Sequence, residues 1–205
     1  MRRDDPVILS PALLLSAYAE GAFPMSRVGR DEVEFYTCRV RCVIPLDRFH
    51  ASDSLLRRVR SGRFGIEVNR DFAATMAACA TDRGRDNRTW ISPSMQVAYG
   101  ELHRLGHAHS VEAYRDGRLV GGLYGVTLGG AFFGESMFSR PDLGGTDASK
   151  VCLVHLVARL RERGFTLLDS QYANPHIKRF GAEEIPAEKY LRRLRKAIEV
   201  EARFD

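Results

Sequence analysis

The pattern of hydrophobic and polar residues predicts three consecutive strands near the middle of the chain. The first covers residues 109–115, the second 118–127 and the third 131–138. Asp116-Gly117 and Gly129-Gly130 lie between them, and such pairs are typical of tight hairpin turns. The pattern therefore predicts a three-stranded antiparallel meander.

Helical periodicity and capping residues predict the elements on either side of this meander. Ser10-Pro11 and Ser92-Pro93 each combine an N-cap serine with a proline at the first helical position, and Gly164 is suited to end a helix. Before the meander we expect a helix from Ser10 to Gly21, a strand-like stretch over 33–44, and helices over 52–61, 71–80 and 93–105. After it we expect a long helix over 147–163, a buried strand over 165–170, a short helix over 174–181 and a last helix over 187–201.

This order of elements predicts an α+β fold. A meander followed by a long helix, a buried strand and a further helix matches the core of GNAT-like acyltransferases, and we expect residues 63–205 to form such a domain. Residues 1–62 are expected to form a small N-terminal α/β domain. A fold alone does not identify a substrate, so the function has to be argued from particular residues.

Charge favours an anionic partner, and hydropathy excludes a membrane span. The chain has 205 residues and a net charge of +5, which favours nucleic acid as a partner. Arg57, Arg58, Arg60 and Arg63 form one cationic run, and residues 189–196 hold a second; each is either a solvated helix face or a phosphate-binding patch. Its apolar runs are shorter than the ~20 residues of a membrane span, and the N-terminus lacks a secretion signal, so we expect a cytoplasmic protein.

The cysteines and histidines predict neither a disulfide framework nor a metal site. Cys38, Cys42, Cys79 and Cys152 have no framework spacing, so free thiols are expected in a reducing compartment. The histidines lack a third ligand at motif spacing. We therefore expect no bound metal.

Two polar segments interrupt apolar strands and are the candidates for chemistry. Glu135 lies in the third meander strand, where a carboxylate is costly unless it is paired or faces a cleft. Asp169 and Gln171 end the buried strand and share one face, so the carboxylate is expected to accept a hydrogen bond from the Gln171 side-chain amide. Strand alternation also puts Glu135 and Met137 on one face. The alternative interpretation is that these polar residues simply cap strand ends.

The chain resembles the leucyl/phenylalanyl-tRNA–protein transferase family over about residues 9–194. The likeness is carried, in this order, by Thr89-Trp90-Ile91, by GESMFS at 134–139, by Ala148-Ser149-Lys150 and by Leu168-Asp169-Ser170-Gln171. Many members have an aromatic residue where this chain has Met25. Many also have Trp-Trp-Ser-Pro where this chain has Phe35-Tyr36-Thr37-Cys38.

This resemblance implies an aminoacyltransferase, a leucyltransferase that acts on proteins. Such an enzyme moves Leu or Phe, and less readily Met, from aminoacyl-tRNA to the N-terminal α-amine of proteins that begin with Arg or Lys, marking them for N-end-rule degradation. It implies that Asp169 orients Gln171, that Gln171 assists the attacking amine, and that Glu135 helps to hold the acceptor. Because the aminoacyl ester is already activated, no cofactor is expected. We expect a monomer.

The resemblance and the residue types also suggest where the substrates bind. The amino-acid pocket is expected at Leu123, Phe133 and Met137, although each of these residues equally fits ordinary core packing. Trp90 and Met25 are expected beside the terminal adenosine of the tRNA, and the small N-terminal domain is expected to contribute to binding this end. Arg57, Arg58, Arg60 and Arg63 are expected to follow the tRNA backbone.

Three other functions fit parts of the pattern. A CoA-dependent N-acyltransferase shares the expected fold, but Gly144-Gly145 only weakly imitates its pyrophosphate-binding turn. A non-catalytic RNA-binding module explains the cationic runs and assigns Gln171 no chemistry. A leucyl-tRNA transferase that acts on N-terminal Asp or Glu would need a cationic pocket, and Glu135 and Asp169 argue against one.

Overall fold

A computed structural model describes residues 9–81 and 89–205 of the chain. These residues contain seven α-helices and nine β-strands, joined by loops. The helices are α1 (Pro11–Ala19), α2 (Asp53–Arg60), α3 (Phe72–Thr81), α4 (Pro93–Arg104), α5 (Ala148–Glu162), α6 (Pro175–Lys178) and α7 (Ala187–Ile198). The strands are β1 (Phe23–Ser26), β2 (Val33–Tyr36), β3 (Val40–Val43), β4 (Gly65–Val68), β5 (Ala108–Arg115), β6 (Arg118–Leu128), β7 (Ala131–Ser139), β8 (Leu167–Asp169) and β9 (Glu183–Pro186). None of the described helices combines the length and apolar character needed to cross a membrane.

Seven of these strands form one mixed sheet in the order β4-β5-β6-β7-β8-β3-β9. Neighbouring strands are antiparallel, except that β7 and β8 run parallel. The crossover between these two is made by α5, which packs on one face of the sheet beside α2, while α1, α3, α4 and α7 pack on the other face. The predicted meander is present as β5-β6-β7, and the α+β class is confirmed.

The predicted helix starts at Ser10, Ser52 and Ser92 are confirmed by their caps. Each serine Oγ accepts a hydrogen bond from the backbone N–H three residues later, at 3.2 Å for Ser10 and 3.3 Å for the other two. These bonds satisfy amide groups that the first helical turn leaves unpaired. The start of each of these helices is therefore determined by local sequence.

The prediction of one strand-like stretch over residues 33–44 is wrong. Strand β2 pairs with β1 in a separate two-stranded sheet, whereas β3 enters the large sheet between β8 and β9. Two strands, β4 and β9, were not predicted; each has four residues and lies at an edge of the large sheet. Periodicity does not separate such short edge strands from loops, because they contain too few alternating positions.

The position of β3 joins the N-terminal segment to the rest of the chain. Residues 9–62, expected within a small N-terminal domain, contain α1, the two-stranded sheet, β3 and α2. Because β3 lies inside the large sheet, this segment also supplies a strand to the larger unit. Residues 1–8 of the expected domain lie outside the described residues.

A β-bulge between β6 and β7 determines which way Glu135 faces. The two strands lose register between Tyr124 and Gly125, which leaves Glu135 as the extra residue on β7. A bulge changes the direction of the following side chains. Met137 packs with the cluster on the α5 side of the sheet, whereas Glu135 bonds to Tyr18 of α1 on the other side. The expectation that Glu135 and Met137 share a face is therefore wrong.

Candidate active site

A cavity of about 720 Å³ opens in the sheet where the parallel strands β7 and β8 separate. The strands pair between residues 131–133 and 167–169. The residues that follow, 134–137 on β7 and 170–172 after β8, line the cavity. The separation of the strands therefore makes room for a ligand at the place where the polar segments of both strands end. Glu135, Asp169 and Gln171, the three residues that the sequence singles out, all lie at this opening.

Asp169 is fully buried, and both of its carboxylate oxygens are occupied. Its Oδ1 accepts a hydrogen bond from Arg41 Nε at 2.9 Å, and its Oδ2 accepts from Arg41 Nη2 at 2.7 Å and from Tyr190 Oη at 2.8 Å. A two-point contact with a guanidinium fixes the plane of a carboxylate. Asp169 is therefore held in place, and both of its oxygens are already engaged by groups of the protein.

Arg41 is a buried cation whose charge is balanced by Asp169. Its guanidinium lies 4.6 Å from the ring centroids of both Phe23 and Tyr190, and its Nη1 donates to the Gly21 carbonyl at 3.1 Å. Burial alone would lower the pKa of Arg41, but the charge and hydrogen bonds of Asp169 outweigh burial and raise it. Burial and the Asp169 charge also raise the pKa of Tyr190, so its hydroxyl stays a donor.

Gln171 is positioned through its backbone. Its N–H donates to Asp169 Oδ1 at 2.9 Å, and its φ of +54° lies in the left-handed region, which non-glycine residues seldom adopt. Its side-chain Nε2 donates to Glu135 Oε1 at 3.3 Å. The expectation that Asp169 accepts from the Gln171 side-chain amide is therefore wrong. Asp169 accepts a hydrogen bond from the Gln171 backbone, and Glu135 accepts one from the Gln171 side chain.

Glu135 borders the cavity beside two tyrosines. Tyr18 Oη donates to Glu135 Oε1 at 2.7 Å and is also hydrogen-bonded to the Tyr99 hydroxyl. Burial raises the pKa of Glu135 to about 7; the Tyr18 hydrogen bond acts to lower it, and the Asp169 charge adds to the rise. Burial and the Glu135 charge hold the pKa values of both tyrosines well above their ordinary values. Near neutral pH, Glu135 is therefore divided between its neutral and anionic forms.

The opposite wall of the cavity is apolar. Leu123 and Met137, which the sequence places in the amino-acid pocket, both line it. Helix α5 and strand β8 add three leucines that were not expected in the pocket, namely Leu153, Leu156 and Leu168. Together these five side chains form a pocket for an aliphatic or aromatic group.

Phe133, the third residue expected in the pocket, does not line the cavity. Its side chain is fully buried, and its ring lies 4.7 Å from the ring of Tyr18. It precedes the bulge on β7, so it faces α1 and belongs to the core on that side of the sheet. Its contribution is to packing beneath the site.

Trp90 and Met25, the two residues expected beside the tRNA adenosine, line the same cavity. Ser26 connects the segments that carry them, because its N–H and its Oγ donate to the Trp90 carbonyl at 3.1 Å and 2.5 Å. Both side chains are partly buried. Strand β1 therefore brings the N-terminal segment to the wall of the cavity.

The four arginines expected along the tRNA backbone differ in their surroundings. Arg58 Nε lies 3.3 Å from an oxygen of Asp147, and Arg63 donates at 3.3 Å to a carbonyl in the loop before α5. Arg57 and Arg60 are exposed on α2. Two of the four cations are thus turned toward solvent, and the other two are bound to the protein.

Four residues that build the site are missing from the candidates drawn from the sequence: Arg41, Tyr18, Tyr99 and Tyr190. In the sequence, Arg41 resembles the polar position of a half-exposed strand, and the tyrosines lie on the apolar stripes of their helices. A buried tyrosine hydroxyl requires a hydrogen-bond partner, and this requirement is the signal that points to them. It shows that a partner exists without identifying it.

The arrangement combines a group that attracts cations with an apolar pocket. Anionic Glu135 can bind an amine, and Gln171, whose Nε2 is directed to Glu135, keeps its Oε1 as an acceptor for the same amine. The apolar wall receives the side chain of a second ligand. Such a site holds two substrates next to each other.

Comparison with known proteins identifies a family. The leucyl/phenylalanyl-tRNA protein transferase family matches residues 43–195, and the N-terminal domain of that transferase matches residues 8–39. A leucyl/phenylalanyl-tRNA–protein transferase of Rubrobacter xylanophilus is 52% identical over 197 residues, which cover 96% of this chain and 98% of the relative. Its counterpart in Cereibacter sphaeroides is 52% identical over 200 residues, which cover 97% of this chain and 90% of the relative.

Solved structures show the fold. A GCN5-related glucosamine N-acetyltransferase region in a fungal multi-domain GH3 β-N-acetylglucosaminidase aligns with a TM-score of 0.51 at 11% identity. The alignment covers 83% of this chain and 21% of that chain. At this identity the likeness concerns the fold alone, and it confirms the GNAT-like arrangement expected from the order of elements.

Proposed function

The chain belongs to the leucyl/phenylalanyl-tRNA protein transferase family, whose members are aminoacyltransferases, and from this membership we propose its reaction in detail. It takes Leu or Phe, and less readily Met, from aminoacyl-tRNA and joins it to the N-terminal α-amine of proteins that begin with Arg or Lys. The new N-terminal residue then acts as a degradation signal. The protein works in the cytoplasm as a monomer.

The observation that carries this proposal is that Glu135, which accepts a hydrogen bond from Gln171, lines the same cavity as the apolar pocket. An acceptor that begins with Arg or Lys brings an α-amine and a cationic side chain. An anionic Glu135 attracts the acceptor, and Gln171 Oε1 accepts a hydrogen bond from its α-amine. An acceptor that begins with Asp or Glu would bring a carboxylate toward Glu135, so this site disfavours it.

The main task of the site is to hold the α-amine next to the ester carbonyl, because the aminoacyl ester is already activated. The α-amine nitrogen attacks the ester carbonyl carbon, an amide bond forms, and the bond to the ribose oxygen breaks. The proton of the amine leaves with that ribose oxygen, which becomes the hydroxyl of the free tRNA. A neutral amide is a very weak base, so Gln171 orients the amine without removing its proton. Alignment of two bound reactants can supply roughly 7–11 kcal/mol.

The apolar pocket selects the transferred amino acid. Leu123, Met137 and the three leucines of α5 and β8 contact the side chain of Leu or Phe. A hydrophobic pocket distinguishes one methylene by only about 1–3 kcal/mol, so transfer of Met at a lower rate is expected.

The tRNA is held at its end and along its backbone. Trp90 stacks on the terminal adenosine with Met25 beside it, a contact worth about 1–3 kcal/mol per base. Arg57 and Arg60 bind phosphates from the exposed face of α2.

The loop before α5 disfavours the CoA-dependent alternative. GNAT-like acetyltransferases bind pyrophosphate at the N-terminus of the helix that follows the meander. Here that position holds Asp147, whose carboxylate lies 2.7 Å from Lys150 Nζ. A Cβ at Gly145 would lie 2.2 Å from the Val120 carbonyl oxygen, so this glycine is required for close packing of the loop against β6.

A transfer assay tests the proposal. Labelled Leu-tRNA and Phe-tRNA are each incubated with peptides that differ only in their first residue, which is Arg, Lys, Asp or Ala. We expect transfer to the Arg and Lys peptides alone. Gln171→Ala and Glu135→Gln should lower it, whereas Glu101→Gln is the matched control, because Glu101 is a partly exposed residue of α4 that pairs with Arg104 away from the cavity. Equal transfer to the Asp peptide would refute the acceptor specificity, and full activity of both site variants would refute their roles.

A further inference from the structure

Helix α7 presents two faces of opposite character. Its buried face carries Tyr190, Leu194 and Ala197, and the Tyr190 hydroxyl reaches Asp169 in the site. Its remaining surface carries five cations, namely Lys189, Arg192, Arg193, Arg195 and Lys196, which border a shallow groove of about 480 Å³. The helix therefore links the catalytic cavity to a strongly basic surface.

The spacing of these cations aligns them along the helix. Lys189, Arg192, Arg193 and Lys196 stand at positions i, i+3, i+4 and i+7, so they form one stripe. Every i,i+3 and i,i+4 pair within the stripe has the same charge, and such pairs destabilise a helix. The stripe therefore has a local cost to stability that a bound polyanion would remove.

These cations differ from several other cations on the surface. Arg27, Arg48, Arg104, Lys150 and Lys178 each lie within 2.7 Å of a carboxylate oxygen. Within the part of the chain that the structure describes, none of the five α7 cations forms an ion pair with an acidic side chain. Their charge is thus available to an external ligand.

We infer that the cationic surface of α7 binds the phosphate backbone of the aminoacyl-tRNA, in addition to the contacts proposed for α2. This inference rests on the function proposed above, because it assigns a second anchoring surface for the same substrate. The stripe of Lys and Arg side chains, which have no acidic partner among the described residues, can follow a phosphate backbone, and neutralising phosphates releases counterions. The buried face of α7 contacts Asp169, so the bound RNA lies about one helix diameter, roughly 10–12 Å, from the polar core of the site.

A charge-matched pair of variants tests the inference. Arg192→Gln, Arg193→Gln and Lys196→Gln are combined in one protein. The control combines Arg30→Gln, Arg104→Gln and Arg118→Gln, three exposed cations elsewhere on the chain. Each protein has its net charge lowered from +5 to +2. Binding of Leu-tRNA is measured between about 50 and 200 mM salt, and single-turnover transfer is measured at saturating Leu-tRNA.

The α7 variant is expected to bind Leu-tRNA about 10- to 100-fold more weakly, with the slope of log K against log salt reduced by about one per cation removed. Its transfer rate at saturation and its melting temperature should not fall, because the variant removes repulsion and leaves Tyr190 in place. Equal weakening in the control, or an unchanged slope in the α7 variant, would overturn the inference. If only affinity for the acceptor protein weakens, the surface binds protein and the inference is overturned.

The two proposals fail in different ways. Wild-type protein that binds Leu-tRNA but transfers nothing to any peptide would refute the proposed reaction, while loss of binding in the α7 variant would still support the RNA surface. Wild-type protein that transfers Leu while the α7 variant keeps full affinity would refute the surface alone.

Discussion

The Glu135 carboxyl predicts a specific dependence of stability on pH. Its pKa is about 7 in the folded chain, against 4.5 for an ordinary glutamate. Below 4.5 the carboxyl is protonated in both the folded and the unfolded chain and contributes no difference. Between 4.5 and 7 the folded chain binds the proton more tightly, so the free energy of unfolding falls as pH rises. Above pH 7 the free energy of unfolding has lost the whole of this contribution.

The magnitude follows from the size of the shift. Each pKa unit corresponds to 1.36 kcal/mol, so the full shift amounts to about 3 kcal/mol. Glu135 borders a cavity that water can enter, which reduces the measured effect to about 1–3 kcal/mol. Glu135→Gln removes the titration, and its side-chain oxygen can still accept from Tyr18.

Urea unfolding of both proteins at pH 5 and at pH 8 measures this effect. The stability of Glu135→Gln relative to wild type should increase by about 1–3 kcal/mol from pH 5 to pH 8. Burial lowers the pKa values of His155 and His176. Both histidines are present in both proteins, so their contributions to the pH dependence of stability cancel in the comparison. A relative stability that stays constant over this range would refute the raised pKa of Glu135.

Three further predictions concern the Tyr190–Asp169 hydrogen bond, the apolar pocket and tRNA binding. Tyr190→Phe removes one hydrogen bond from Asp169 and should cost about 1–3 kcal/mol in urea unfolding; single-turnover transfer should slow while KM for aminoacyl-tRNA holds. An unchanged transfer rate would show that this bond does not position Gln171. Met137→Ala enlarges the pocket and should favour Phe over Leu by about 10-fold in a competition between the two charged tRNAs. Combined Arg57→Glu and Arg60→Glu should weaken tRNA binding, measured by titration, without slowing transfer at saturating tRNA.

Much of the fold was predictable because its signals are local. Ser10, Ser52 and Ser92 start helices through bonds within one turn, and Asp116-Gly117 closes a hairpin between its own neighbours. Strands β4 and β9 were not predicted because their pairing depends on residues far along the chain.

Three of the polar residues that line the cavity could be singled out from the sequence, but their contacts could not. Glu135, Asp169 and Gln171 were found because polar residues in apolar strands are costly without a partner. Their actual bonds depend on a register shift between β6 and β7, and on Arg41 from a strand 128 residues away in sequence. Neither follows from the alternation of side chains along a single strand.

The contacts of Arg41 and Tyr190 with Asp169 also bear on when the protein becomes active during its synthesis. Arg41 is made early, Asp169 comes 128 residues later, and Tyr190 follows after another 21. Chains are made from the N-terminus, so one that stops before Tyr190 lacks one of the two aromatic rings that cover the Arg41 guanidinium and one hydrogen bond to Asp169. Such a fragment is expected to unfold and be degraded rather than to act as a partial enzyme. Unfinished chains that lack Tyr190 are therefore expected to have no transferase activity.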